Sequence, residues 1–402
     1  MQRPTIIVDY RLKNMQYRPM ADDRGFMNEL FRIISGALRL DTEKVRNYTA
    51  FLAEKLEKEG DASAAGRLRR LLEESDHELR PTAIGNNRSV PVDGESRFPL
   101  LERVNLKLPE SPIILSSEQL NTVHEFLSVA KSYGQLEAEG VNASLNMLMY
   151  GPPGCGKSRL ARQIARELDL PIYIARLDGL ISSYLGSTSK NIRALFEFAS
   201  KSPCVLFLDE FDAIAKIRGD TQELGELKRV VNSFIQNLDS LGRQSVVIAA
   251  TNHEDLLDSA IWRRFNYRIE FGYPNIELRS ALWGNFLTSV PSFSKLIDLL
   301  ADLSEGFSGA EIEEVCLRLR RLRVLEKREV TVHDAFVALQ NLSLGNGRDK
   351  KIVGHLKGKS SNEVAQILRD RDPRLYSHAA LAQILGVSKS TAHRFSTRAG
   401  DA

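Results

Sequence analysis

The chain is poor in cysteine and tryptophan, with three and two residues respectively among 402. Cys155, Cys204 and Cys316 match no metal-ligand spacing, and an odd, low count builds no disulfide framework. A disulfide-stapled secreted domain is thereby excluded, and a reducing compartment is expected. No apolar run reaches the roughly 18 residues that a bilayer span needs. The start, with Arg3 and Asp9, holds no apolar leader core. The reading is a cytoplasmic protein with no membrane partner. Net charge is also slight, at +3, so the whole-chain balance implies no partner. Its distribution is less even. Residues 346–402 carry eleven Lys/Arg against five Asp/Glu, a balance of +6 that leaves −3 for the rest. That basic segment reads either as a surface for an anionic partner or as a solvated face.

What is present fits an ordinary globular protein, with 43% hydrophobic and 27% charged residues. Within residues 1–80, periodicity predicts three helices. Phe26, Leu30, Ile33, Ile34 and Leu38 share one face. Val45, Tyr48, Leu52 and Leu56 follow the candidate N-cap Asp41 and run to Gly60, and Ala64, Leu68, Leu71 and Leu72 mark the third. Such an N-terminal domain could recognise a substrate or simply pack on the rest. Residues 81–112 are rich in Pro, Gly, Asn and Ser and read as a linker, followed by a helix over 117–136. From 113 to 272, short apolar runs at 145–150, 172–175, 205–208, 246–250 and 267–271 alternate with helical patterns. The first four are almost continuously apolar, as strands buried on both faces require. The fold class is therefore α/β, a doubly wound, mostly parallel sheet. Residues 273–345 read as purely helical.

Gly151-Pro152-Pro153-Gly154-Cys155-Gly156-Lys157-Ser158 fits the pattern G-x-x-x-x-G-K-S/T. It follows a predicted strand and opens a helix carrying Leu160, Ile164 and Leu168. Glycines let the backbone curl so that successive N–H groups and the helix N-terminus surround phosphates. Lys157 is placed for the β- and γ-phosphates of ATP, and the Ser158 hydroxyl for Mg2+. Residues 204–210 form a buried strand ending in Asp209 and Glu210. Asp209 is the second candidate for Mg2+, held through water, and Glu210 the candidate general base. Neighbours on a strand point to opposite faces, but at its end both can converge on the nucleotide.

With these two motifs in order, as Walker A and Walker B elements, the sequence resembles AAA+ ATPases, specifically the AAA clade proper, over about residues 115–342. Ala249-Ala250-Thr251-Asn252 resembles the first sensor, in which Asn252 aligns the attacking water. The run from Asp258 to Phe265 resembles the second region of homology, whose two arginines reach a neighbouring subunit's nucleotide as fingers. Here Arg263 and Arg264 are adjacent, where many members separate them, so which is the main finger stays open. Gly306-Phe307-Ser308-Gly309-Ala310-Glu311 resembles the lid signature, with Gly309 and Ala310 at the nucleotide in place of a second sensor arginine. Ser183-Tyr184-Leu185-Gly186 resembles the first pore loop, in which Tyr184 and Leu185 grip a polypeptide. Tyr184 as half-buried core is the alternative. The segment 216–226 is where a second pore loop would lie. The resemblance implies ATP and Mg2+ as cofactors and a homo-oligomer, most simply a hexamer. It implies hydrolysis that remodels or unfolds a protein substrate. It extends to bacterial single-ring AAA ATPases encoded beside subtilisin-like serine proteases, a pairing associated with phage and plasmid defence. The chain has no protease signature, so proteolysis would fall to a partner.

Residues 378–397 resemble a helix-turn-helix. Leu381, Ala382 and Leu385 form the apolar side of its first helix, Gly386 the turn, Ser388 the second N-cap, and Ala392 and Phe395 face inward. Lys389, Ser390, Thr391 and Arg394 then point outward as nucleic-acid candidates. A small protein-docking module fits the same pattern. The expected function is thus an ATP-driven remodelling ring. The alternative is a nucleic-acid-directed ATPase loaded through this module. Glu210 argues against a nucleotide switch that lacks hydrolysis.

Overall fold

The structure, a computed structural model, describes residues 26–38, 42–74, 90–93, 96–106, 111–141, 143–176, 185–201, 204–213, 224–241, 246–287, 296–343 and 351–397. Three helices come first: α1 Met27–Leu38, α2 Thr42–Lys58 and α3 Ala62–Glu74. They bury Tyr48, Leu52, Ala53, Ala65 and Leu72. The apolar face expected of α1 is only partly used, since Leu30, Ile34 and Leu38 are exposed.

The stretch read as linker contributes to the fold. Val92 bridges Pro99, Leu100 and Leu101 are buried, and Glu102–Arg103 forms a short strand β1. Helix α4, Ser117–Lys131, opens with a capping box in which the Ser116 side chain and Gln119 satisfy each other's backbone N–H groups. The continuous helix expected over 117–136 breaks at Ser132, beyond which α5, Tyr133–Ala138, continues separately. There follow β2 Asn146–Tyr150, α6 Lys157–Glu167, β3 Ile172–Arg176, α7 Leu185–Lys201, β4 Val205–Asp209, α8 Leu224–Ser240, β5 Val246–Thr251, α9 Ser259–Trp262 and β6 Tyr267–Glu270.

The six strands lie in the order β1-β3-β4-β5-β2-β6. All pairs are parallel except β1 on β3, which makes one edge of the sheet mixed. Side chains alternate across the pleat and feed two cores. Met147, Met149, Val205, Phe207 and Ile248 pack with α4 and α6. Leu148, Leu206, Leu208, Val247 and Ala249 pack with α7 and α8. Burial on both faces explains why these strands read as unbroken apolar runs.

The N-terminal helices dock on the floor of this body, where α4, α6 and α7 end. Asn28 Nδ2 donates to the carbonyls of Ala130 and Lys131 at 3.5 and 3.3 Å, and its Oδ1 accepts from Gly134 N at 3.0 Å. Asn47 Nδ2 donates to the Lys201 carbonyl at 3.0 Å. Lys58 pairs with Asp169 at 2.8 Å, and Glu43 with Lys201 at 3.0 Å. The last carbonyls of a helix lack internal partners, so amide donors fit there.

Beyond the sheet the described chain is helical: α10 Ile276–Phe286, α11 Ile297–Leu303, α12 Gly309–Glu326, α13 Val332–Leu342, α14 Lys351–Leu356, α15 Ser361–Arg371, α16 His378–Leu385 and α17 Lys389–Ser396. Trp283, Leu300, Phe307, Leu319 and Phe336 share one core with Val353, Leu368, Tyr376, Leu381, Ile384 and Ala392. The C-terminal helices are thus packed into the lid and do not form a free tail. Asp302 accepts from Tyr376 OH at 2.6 Å and from two nitrogens of Arg371, each at 3.1 Å. His333 Nδ1 lies 2.8 Å from the Ile384 carbonyl. Among the described residues no helix is long and apolar enough to cross a membrane.

Candidate nucleotide site

Strand β2 lies between β5 and β6, so the chain order reverses at its C-terminal end. Such switch points open a crevice above a parallel sheet. The loop leaving β2 turns through the left-handed region at Gly151, Gly154 and Gly156, with φ of 123°, 76° and 110°. A Cβ at Gly151 would fall 1.9 Å from the Phe271 carbonyl oxygen, and one at Gly154 would fall 2.8 Å from Ser308 Oγ. Glycine is therefore required at both.

A cleft of about 700 Å³ opens over this loop. It brings together Pro153, Gly154, Cys155, Gly156, Lys157 and Ser158 with Asp209, Glu210, Asn252, Gly309 and Ala310. Gly151 and Pro152 do not line it. Their carbonyls instead hold Lys157, whose Nζ also donates to Asn252 Oδ1 at 2.8 Å. All three ammonium donors are thus engaged. With Oδ1 turned to the lysine, the Asn252 amide nitrogen remains for a further acceptor. Lys157 is 8% exposed, and burial lowers its pKa against the opposing pull of nearby groups that include Asp209.

Asp209 is the last residue of β4, and its Oδ1 accepts from Glu210 N at 3.0 Å. Glu210 turns at φ 53°, a conformation that costs a non-glycine residue about 1 kcal/mol. Neighbouring bonds hold it there: Phe211 N donates to the Ala250 carbonyl at 2.8 Å, and Ala213 N to the Glu210 carbonyl at 2.9 Å. The lid closes over the same loop, with Ala310 N donating to the Gly154 carbonyl at 3.0 Å. Cys155 is half-buried in the cleft wall. Cys316, behind it in the lid, is buried, and burial pushes its thiol up to about 12.

Arg263 and Arg264 follow α9, whose N-cap Asp258 accepts from Ala260 N at 2.9 Å. Both are exposed and neither lines the cleft of its own chain. Arg264 pairs with Asp239 at 3.2 Å. Tyr184 lies outside the described residues. Leu185 opens α7 with its side chain outside them, and most of 216–226 lies outside them too. On α17, Lys389, Ser390 and Arg394 are exposed. Thr391, expected to point outward, is half-buried with Oγ1 2.9 Å from Ser388 Oγ, because it folds back on the helix cap.

The sequence reading missed the apolar end of the cleft, formed by Ile113, Ile114, Leu278, Leu282 and Phe286. The Pro112-Ile113-Ile114 run ahead of a capped helix was its only local signal. It also missed Arg159 and Glu313, which line the cleft as an ion pair at 2.7 Å.

Residues 147–273, which hold this loop and all the parallel strands but the first residue of β2, match the ATPase family associated with various cellular activities (AAA). Over 291 residues the chain is 38% identical to a Sinorhizobium fredii protein named as an uncharacterized AAA family ATPase, covering 71% of this chain and 86% of that one. The chain belongs to the AAA family of ATPases. As an AAA ATPase it has the family's α/β fold, binds ATP and hydrolyses it. The proteasome-activating nucleotidase of Sulfurisphaera tokodaii is 31% identical over 263 residues, covering 63% of this AAA ATPase and 67% of that protein. Among solved structures, the FIGL-1 AAA domain aligns with a TM-score of 0.47 at 24% identity, over 56% of this chain and 80% of that chain.

Proposed function

We propose that the protein works as a ring of identical subunits, a hexamer, that uses ATP hydrolysis to remodel or unfold a macromolecule. One observation carries this reading. Lys157, Asp209, Glu210 and Asn252 line one cleft, whereas Arg263 and Arg264 sit outside it. The positive charge that would stabilise the transferred phosphoryl group must then come from a second copy.

In this reading the backbone N–H groups of 154–158 and Lys157 bind the phosphates, and Asn252 and Glu210 orient and deprotonate the attacking water. Ile113, Ile114 and Leu282 offer an apolar seat for the base. Among the described residues no cluster of three His, Cys, Asp or Glu side chains could hold an ion. Mg2+ would therefore be shared between Ser158, Asp209, water and the phosphates, as that hard cation prefers. Glu210→Gln is expected to keep ATP affinity and to lower turnover by at least about 100-fold, the scale of general-base catalysis. Mixed rings test the trans arrangement. Subunits lacking Arg263 and Arg264 should regain hydrolysis when combined with Glu210→Gln subunits, since one type of interface is then complete. No recovery in verified mixed rings rejects it.

A partner protease is the finer part of the proposal. It rests on the resemblance to ATPases encoded beside subtilisin-like proteases in defence loci, and it agrees with a relative named as a proteasome-activating nucleotidase. Tyr184 and Leu185 would then grip the substrate chain. Co-expression with such a protease should give proteolysis that needs ATP and fails in Tyr184→Ala. Proteolysis indifferent to ATP rejects the pairing.

The exposed Lys389, Ser390 and Arg394 on α17 favour a second reading, loading onto nucleic acid. It requires the full-length protein to bind duplex DNA with an affinity that falls steeply with salt. Undetectable binding at about 50 mM salt rejects it.

A further inference from the structure

The first turn of α12 meets the phosphate-loop body at more than one point. Ala310 N donates to the Gly154 carbonyl at 3.0 Å. Three residues later, on the same helix face, stands Glu313. Its Oε2 accepts from Arg159 Nη2 at 2.7 Å, and its Oε1 accepts from Ser111 Oγ at 2.8 Å. One carboxylate therefore joins three segments: the strand of chain entering the cleft at 111–116, helix α6 behind the phosphate loop, and the lid. The pair is only partly solvated, with side chains 27% and 22% exposed, and charge-assisted bonds in such a setting are stronger than at an open surface.

The opposite face of α12 is fixed in the lid core by Ile312, Val315, Cys316 and Leu319. The helix must move with the lid as one piece. Between β6 and α10, Gly272 has open space around its Cα, so the connection at the base of the lid offers little steric resistance to rotation. Any swing of the lid away from the loop separates Glu313 from both Arg159 and Ser111.

We propose that Glu313 is a positioning residue that latches the lid over the nucleotide through Arg159 and Ser111, and thereby sets how fast nucleotide leaves. The proposal rests on the reading of this cleft as the nucleotide site. Glu313 also neutralises Arg159, a cation that would otherwise face the cleft unopposed.

Stopped-flow release of N-methylanthraniloyl-ADP from the full-length protein, chased with ATP, tests it. Glu313→Gln keeps the shape of the side chain and an acceptor for Ser111 but removes the charge. Arg159→Gln removes the other half. Each should speed release about three- to ten-fold, the span expected for a partly exposed ion pair. KM for ATP should rise, with no matching fall in kcat. The charge-swapped double variant Arg159→Glu, Glu313→Arg should return release to within about two-fold of the parent, as coupling between contacting residues requires. Unchanged or slower release in the single variants, or a double variant as fast as the singles, overturns the latch. A thermal melt run beside each variant separates release from loss of fold. A variant that melts early and is not restored by the swap also overturns it. The parent and Lys157→Ala report on the cleft itself. If the parent binds the probe and Lys157→Ala does not, normal release rates sink the latch alone. If Lys157→Ala binds like the parent, the nucleotide reading of the cleft fails first.

Discussion

The N-terminal helices α1–α3 meet the α/β body through side-chain amides and ion pairs, whereas α14–α17 at the other end place Val353, Leu368, Tyr376, Leu381, Ile384 and Ala392 inside the lid core. The first attachment exchanges bonds that water could make equally well. Such bonds are worth about 1 kcal/mol net, and exposed ion pairs less. The second removes apolar surface from water, at about 1.5–3 kcal/mol for each large side chain fully buried. Two helical segments of similar size thus differ in kind. One is a docked neighbour, and the other is part of the lid's own stability.

The strongest break of this contrast is Leu381→Ala. It should cost about 2–5 kcal/mol and melt the lid together with the C-terminal helices, with loss of ATP binding. Calorimetry beside nucleotide titration checks it. A separate early transition with the ATPase intact would show two independent cores. Tyr376→Phe should act on the same transition but more gently, by about 1–2 kcal/mol, because Asp302 keeps Arg371 when the phenolic bond is lost. Removing residues 1–74 should leave the melting of the α/β body and its hydrolysis rate within about two-fold, since only exchangeable polar contacts are lost. A large loss would place the N-terminal helices in the motor. Smallest of all, Lys58→Ala should shift stability by no more than about 0.5 kcal/mol, because both partners of the Asp169 pair are more than half exposed.

The strands and the phosphate loop were legible because each carries its signal locally. β2, β3, β4 and β5 start and end within a residue or so of the apolar runs, and glycines mark the backbone turns. What stayed hidden was assembled from afar. β1 is two exposed residues with no alternation to reveal them. Arg159 and Glu313 are 154 positions apart, and neither belongs to a motif. The break at Ser132 has no proline to announce it. The basic balance of 346–402 suggested a separate module because charge marks the solvent face of these helices. Their other face, with Leu381 and Ile384, answers to Trp283 and Phe336 far upstream. His333, pressed between Gly386 and the Ile384 carbonyl, is the same lesson in one residue.

Glu210 sits where the chain would relax with glycine or asparagine, since these adopt positive φ most easily. A library screened only for heat resistance would therefore be drawn toward Glu210→Gly, and each such winner would give up the carboxylate proposed to deprotonate water. Thermal selection and catalytic selection pull this one position in opposite directions. An engineer hardening the protein would do well to hold residue 210 fixed and seek stability in the docked helices, where the exposed Leu30, Ile34 and Leu38 can be exchanged without touching the cleft.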